Sequence, residues 1–365
     1  MLTLIYFILI LGLIVLVHEF GHFIFSKLFG VHVFEFSIGM GPRLFGTKKV
    51  KGKTQYNVRA LPIGGFVSLA GEDPTEKDPE VPKGAYLYEK PVWQRFIIMA
   101  AGVFNNFILA ILLLFFIGLF HGSVDMTPMI SKVDVNYPMY EVGVRDGDIV
   151  KKINGNTVST MDDLRLYLAL DNDGSETDFV IERKGKEYKY SVTPLEEENE
   201  ETKKKEYKFG ITLERKEKHG FLNAIKYAFE QLISYFKQMI ITFKYLFTGR
   251  ISADNLSGPV GIYSVVGEVT KESVLLNLAS LTALLSVNVG FLNIMPFPAF
   301  DGGRIVFLII EKFRGKPVNP KIENTVNTIG FCLLMVLVVF VTWNDIIKLI
   351  RWLKSSFFLN LLWYN

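Results

Sequence analysis

Four long runs free of charge constrain this chain more than any other feature. The hydrocarbon core of a bilayer takes about 20 consecutive apolar residues of helix to cross. Residues 1–17 carry no charge, and their run continues through His18 and Glu19 to residue 25. Residues 97–120, 273–300 and 326–344 supply uncharged stretches of 24, 28 and 19 residues, and the run 273–300 is extended past Asp301 by 303–310, with Arg304 inside it. The first lacks the basic leader and small-residue cleavage site of a signal peptide, so it reads as a span. Half of all residues are hydrophobic, 31 of the 365 are Phe, and mean hydropathy is +0.28. This excludes a disordered chain and disfavours a wholly soluble one. One cysteine, Cys332, excludes a disulfide scaffold, and a net charge of +3 argues against a nucleic-acid partner. The expected class is a multi-pass α-helical membrane protein with four transmembrane helices.

Charge in the loops sets an expected orientation. Residues 30–71 carry Arg43, Lys48, Lys49, Lys51, Lys53 and Arg59 against Glu35 alone. Residues 311–321 carry Lys312, Arg314, Lys316 and Lys321 against Glu311. By the positive-inside rule both loops are cytoplasmic. Residues 122–218, with 16 basic and 21 acidic residues, then lie outside. That region reads as short strands at 130–133, 149–153, 179–183 and 188–193, with a helix near 161–170 after Ser159 or Thr160. The charge run 196–205 reads as a solvated loop. In residues 220–246, Lys226, Glu230, Lys237 and Lys244 recur every four to seven residues. This fits an amphipathic helix on the membrane face or on the soluble region. Lys348, Arg351 and Lys354 fall outside against the rule, and suggest a surface helix over 343–363.

Ionisable residues at membrane depth are functional candidates by default. His18-Glu19-Phe20-Gly21-His22 places two imidazoles four residues apart on one helix face. That spacing suits a tetrahedral zinc with Glu19 as general base; a pair of core histidines is the plainer alternative. A catalytic zinc needs a third protein ligand, and Asp301 is the other carboxylate inside an apolar run. Pro296, Pro298, Gly302 and Gly303 must break the helix around it, and broken backbone at membrane depth belongs in protein or beside a wet cavity. A cap on the following half-helix is the competing role for Asp301. Asn293, near the break, could bond a peptide backbone or a developing oxyanion, or satisfy freed carbonyls. Asn288, Asn105 and Asn106 read as interhelical hydrogen-bonding groups. His32, His121 and His219 lack a partner at ligand spacing and read as ordinary surface or interface residues.

These residues together resemble the site-2 proteases, in particular bacterial regulators that cut membrane-embedded anti-sigma factors and remnant signal peptides. The resemblance spans nearly the whole chain. It rests on the His18–His22 motif, on Asn293 with Pro296, Pro298, Asp301 and Gly302, on residues 62–67, and on Gly258-Pro259-Val260-Gly261-Ile262. It implies zinc held by His18, His22 and Asp301, Glu19 as base, and Asn293 in contact with substrate. Residues 31–69, with alternating polarity and six glycines, read as paired strands. In similar proteases such strands dip into the membrane and offer an edge to an unwound substrate. Residues 141–155 resemble part of a PDZ domain, and the length available suits a single one.

The resulting expectation is four spans with a membrane-associated β-hairpin region and one inserted α+β PDZ domain. The first span with the zinc motif covers 1–25, the hairpin loop 26–95, and the second span 96–120. The PDZ domain and charged loop cover 121–218 and the amphipathic segment 219–272. The broken third span covers 273–312, a cytoplasmic loop 313–322, the fourth span 323–344 and the surface helix 345–365. The expected partners are membrane-spanning substrates, the lipid bilayer and a peptide ligand of the PDZ domain. The expected location is a bacterial inner membrane, with the active site toward the cytoplasm and the PDZ domain outside. A non-enzymatic PDZ scaffold would lack Glu19 or a ligand. A transporter, which also uses broken helices, is the third reading. A single cysteine at Thr47 should resist an impermeant thiol reagent in intact cells, and one at Ser175 should react. Reaction at Thr47 would invert the orientation.

Overall fold

The computed structural model describes residues 2–48, 50, 52–72, 78–79, 81–171, 173–198, 205–213, 216–250, 257–271 and 273–362, with side chains through 350. Lys49, Lys51, residues 199–204 and the side chains of Arg351 and Lys354, all invoked above, lie outside them. In chain order the elements begin with α1 (Leu2–Leu28), β1 (Val33–Gly46), β2 (Gln55–Leu69) and α2 (Val92–Phe120). A β-rich stretch follows: β3 (Ser123–Val124), β4 (Ile130–Val133), α3 (Pro138–Glu141), β5 (Ile149–Ile153), β6 (Asn156–Thr157) and α4 (Met161–Leu170). It continues with β7 (Thr177–Arg183), β8 (Lys186–Val192), β9 (Leu195–Glu198), β10 (Lys205–Lys208), β11 (Ile211–Leu213) and β12 (Glu217–Lys218). The chain ends in helices: α5 (Phe221–Phe247), α6 (Pro259–Val269), α7 (Val274–Ile294), α8 (Asp301–Arg314) and α9 (Pro320–Leu362). Two compact units result, one of Met1–Leu113 with Ser252–Asn365, the other Leu114–Ile251.

Four helices are long and apolar enough to cross a membrane: α1, α2, α7 and the Pro320–Ile350 part of α9. The third apolar run is two helices. α7 stops at Ile294 and α8 starts at Asp301, because Pro296 and Pro298 bring no N–H to the helical ladder. The chain then folds back so tightly that a Cβ on Gly302 would collide with the carbonyls of Ile294 and Met295, and one on Gly303 with that of Phe297. Gly330 of α9 packs against Pro298 just as closely, so α9 braces the break. The boundary expected at 344/345 falls inside α9, which runs on as one helix.

In the same unit β1 and β2 form a long antiparallel ladder with several register shifts. β2 lies against α1, where a Cβ on Gly12 would sit 2.8 Å from the Pro62 carbonyl. At α6, the Gly258–Pro259 start leaves N–H groups that no helical carbonyl can reach. Asp345, on α9 and 5% exposed, accepts from Gly258 N at 2.9 Å and Gly261 N at 2.8 Å. A carboxylate there also meets the positive end of the helix dipole.

The second unit is built on a four-stranded antiparallel sheet ordered β6-β5-β7-β8, with β4–β11, β3–β12 and β9–β10 as two-stranded pairs. Its core joins Ile130, Val150, Ile153, Leu164, Phe179 and Ile181, all 1% exposed or less, to Ile241 and Tyr245 of α5. α5 buries Ala224, Ala228, Gln231, Ser234, Ile241 and Tyr245 at three-, four- and seven-residue spacing. Lys237 of α5 pairs at 2.6 Å with Asp163 of α4, a fully buried carboxylate that also receives the Thr160 N–H at the helix start. The unit therefore does not depend on strands alone: α5 is part of its core.

Removing the cap on α6 leaves two buried N–H groups without an acceptor. Asp345→Ala should destabilise the detergent-solubilised protein by about 2 kcal/mol, read as a lowered melting temperature. An unchanged melt would show that the cap contributes nothing to the fold.

Candidate metal centre

His18 and His22 sit one turn apart on α1, 7% and 6% exposed. Gly21 between them lets α2 approach until a Cβ there would collide with the Ala101 carbonyl. That approach has a direct result. The backbone carbonyl of Ile98 comes within 2.8 Å of His22 Nδ1, so Nδ1–H donates to it and Nε2 is left as a lone pair. Gly102, one turn along α2, clears the space for both rings; a Cβ there would fall 2.7–2.8 Å from His18 ring atoms and closer still to His22. The two rings stand at 80° to each other, centroids 4.8 Å apart.

Asp301 is the first residue of α8, and Phe300 takes the cap position without a side-chain cap bond. The capping role considered for Asp301 is therefore not the one its side chain adopts. Its Oδ2 lies 3.0 Å from His18 Nε2 and 3.4 Å from His22 Nε2, and the two Nε2 atoms are 3.1 Å apart. Oδ2 is buried and has no hydrogen-bond partner. Two imidazole nitrogens and a carboxylate oxygen converging on one point are a donor set that suits a cation. A tetrahedral ion with bonds of ~2.0–2.1 Å sets its ligand atoms about 3.3 Å apart, which the three separations match. Among the described residues no other group of three His, Cys, Asp or Glu side chains meets this way.

Glu19 follows His18 on α1. Its Oε2 accepts the Val67 N–H of β2 at 3.0 Å, which holds the carboxylate beside the cluster. Sequence reasoning did not foresee this contact, although residues 62–67 had been singled out as a motif. Asn293, half-buried in the last turn of α7, makes no side-chain hydrogen bond among the described residues. Asn105 Nδ2 donates to the Val17 carbonyl at 3.2 Å, an interhelical bond as read from sequence. Asn106 is interhelical as well, and its partner is a histidine ring, with Nδ2 3.4 Å from His18 Nδ1. Asn288 Oδ1 is buried without a partner. His32, His121 and His219 stand outside the cluster.

A cavity of about 1350 Å³ adjoins these elements, lined by Phe66 beside Val67, by Ala299 and Arg304 flanking Asp301, and by Asn324 and Asn327 of α9. Arg304 pairs with Glu72 at 2.7 Å across its rim. A polar space of this size beside an apolar bundle admits water.

If the close α1–α2 approach builds the centre, Gly21→Ala should lower stability by about 1–3 kcal/mol through overpacking. Gly267→Ala on α6, which meets only the Thr3 side chain at 3.4 Å, should be neutral or slightly stabilising. Equal melting temperatures for the two variants would contradict this account.

The family model described as Peptidase family M50 matches residues 6–337. The regulator of sigma-W protease RasP of Bacillus subtilis (strain 168) is 34% identical over 423 residues, covering 95% of this chain and 99% of its own length. Bacillus licheniformis has a protein named zinc metalloprotease RasP that is 33% identical over 424 residues, covering 95% and 99%. A Clostridium perfringens (strain 13 / Type A) relative that carries a zinc metalloprotease name is 39% identical over 344 residues, covering 94% and 98%. The match runs from the first span through the helix break and into α9, and the chain belongs to peptidase family M50.

Proposed function

We propose that this peptidase is a zinc-dependent intramembrane endopeptidase that cuts membrane-spanning segments of single-pass proteins in a bacterial cell membrane. The observation that carries the reading is the convergence of His18, His22 and Asp301 within 3.0–3.4 Å among helices apolar enough to span a bilayer. These three side chains hold the zinc. Bound there, zinc polarises a carbonyl and lowers the pKa of water from 15.7 to about 7.

The other residues act around it. Glu19, kept in place by the Val67 N–H, takes a proton from water and returns it to the leaving amine. Asn293, with its amide unengaged, bonds the substrate backbone near the break. The hairpin β1–β2 receives a locally unwound segment along a strand edge, which offsets the lost helical hydrogen bonds. The β-rich unit is read as one PDZ domain that takes a peptide ligand. The charge of the loops supports placing the centre toward the cytoplasm and that unit outside. The relatives' names support anti-sigma factors as a substrate class, since one of them is a regulator of sigma-W protease; remnant signal peptides are the second class.

The test uses purified protein reconstituted with a helical membrane substrate. Glu19→Gln should keep its zinc and lose roughly 10²–10⁴-fold in turnover, because only the proton carrier is changed. Asp301→Ala should lose zinc as well. Near-normal turnover of Glu19→Gln would end the mechanism, and full zinc in Asp301→Ala would end the ligand assignment.

A further inference from the structure

Each imidazole of the centre has two nitrogens, and only one can face the metal. For His22 the other is accounted for, because Nδ1–H donates to the Ile98 carbonyl. His18 Nδ1 lies 3.4 Å from the side-chain amide of Asn106, its hydrogen-bond partner among the described residues. Asn106 is fully buried, and the backbone there is fixed: its carbonyl accepts from the buried Ser286 Oγ at 2.8 Å. Ile98, Gly102 and Asn106 follow one another at four-residue spacing, so one stripe of α2 faces both rings.

The amide has two orientations, related by a half-turn, that occupy the same space and differ only in which hydrogen bonds they make. With nitrogen toward His18, Nδ2 would donate to Nδ1, which forces the proton onto His18 Nε2. That proton would then point at Asp301 and His22, and Nε2 could not bind a cation. In the same orientation Asn106 Oδ1 is buried without a partner. With oxygen toward His18, Oδ1 accepts from Nδ1–H and Nε2 becomes a lone pair, matching His22.

We propose that Asn106 is a positioning residue for His18: its side-chain oxygen accepts the Nδ1 proton and holds the tautomer whose Nε2 faces Asp301. The assignment rests on the zinc reading above. It gives each ring an oxygen partner from the same face of α2, a backbone carbonyl for His22 and a side-chain amide for His18. Loss of a partner in this position typically weakens metal binding 10–100-fold.

The experiment measures zinc affinity of the full-length protein in detergent by competition with a chromogenic chelator. Asn106→Ala should bind zinc 10–100-fold more weakly, while its zinc-free melting temperature reports on the fold separately. Asn106→Asp, which can accept but not donate, should recover most of the affinity. If the wild type binds no zinc, the reading of the centre fails. Should the wild type bind and Asn106→Ala bind equally, the role of Asn106 fails instead. Weak binding by a folded Asn106→Asp would show that the amide acts as a donor or as packing, and would also overturn it. As a measurement free of variants, nitrogen-15 spectra of the zinc-loaded protein with labelled histidine should show a protonated Nδ1 on His18; a bare Nδ1 would refute the assignment even if Asn106→Asp did not fold.

Discussion

The structure depends on bringing three ionisable side chains together among apolar helices. An isolated charge in such surroundings is costly, so the groups must be held in register by backbone that comes very close. Gly21 and Gly102 admit α2 to α1, and Gly12 admits β2. Gly302 and Gly303 let α8 double back on the end of α7 and deliver Asp301. In each case the missing side chain sits where a methyl group would strike a carbonyl or an imidazole. The chemistry is thus positioned less by the polar residues than by the absent bulk beside them.

Much of this was legible in the sequence, and the reason differs by element. The four apolar runs, the two histidines at helical spacing and the break around Asp301 are local signals of composition, period and proline placement. Short strands at 130–133 and 149–153 and the helix at 161–170 likewise follow from turn residues and a capping Thr160. What escaped was set by contacts between segments far apart in the chain. The Val67 N–H on Glu19, 48 residues away, has no sequence signature of its own. Asn106 looked like any polar residue in a span until α2 was seen to lie along the histidine stripe. Asp301 was open to two roles because both a ligand and a cap can begin a helix; only the direction of its side chain separates them.

The second unit shows a different economy of means. Its sheet is small and its core is completed by α5, read from sequence as an amphipathic helix on the membrane face or on the soluble region, and here packed on the latter. Lys237 reaches Asp163, the carboxylate that closes the first turn of α4, so one buried acid ties two helices. Arg183, at the end of β7, pairs at 2.6 Å with the fully buried Asp148, just before β5. Buried carboxylates of this kind are stable only when paired, which makes these pairs points of specificity as much as of strength.

Asp345 has one more consequence, concerning depth. α9 is 43 residues long, about 64 Å at ~1.5 Å per residue, roughly twice the ~30 Å of a hydrocarbon core. Its uncharged stretch, 326–344, measures about 28 Å and fits that thickness almost fully. Asp345 is the next residue, so the carboxylate that holds the α6 terminus stands where the uncharged stretch ends. Sliding α9 along its axis by a single turn would strip two N–H groups of their acceptor and leave a buried carboxylate unpaired. The contact sets the register of α9 against α6, and with it the height at which Gly330 braces the loop before Asp301.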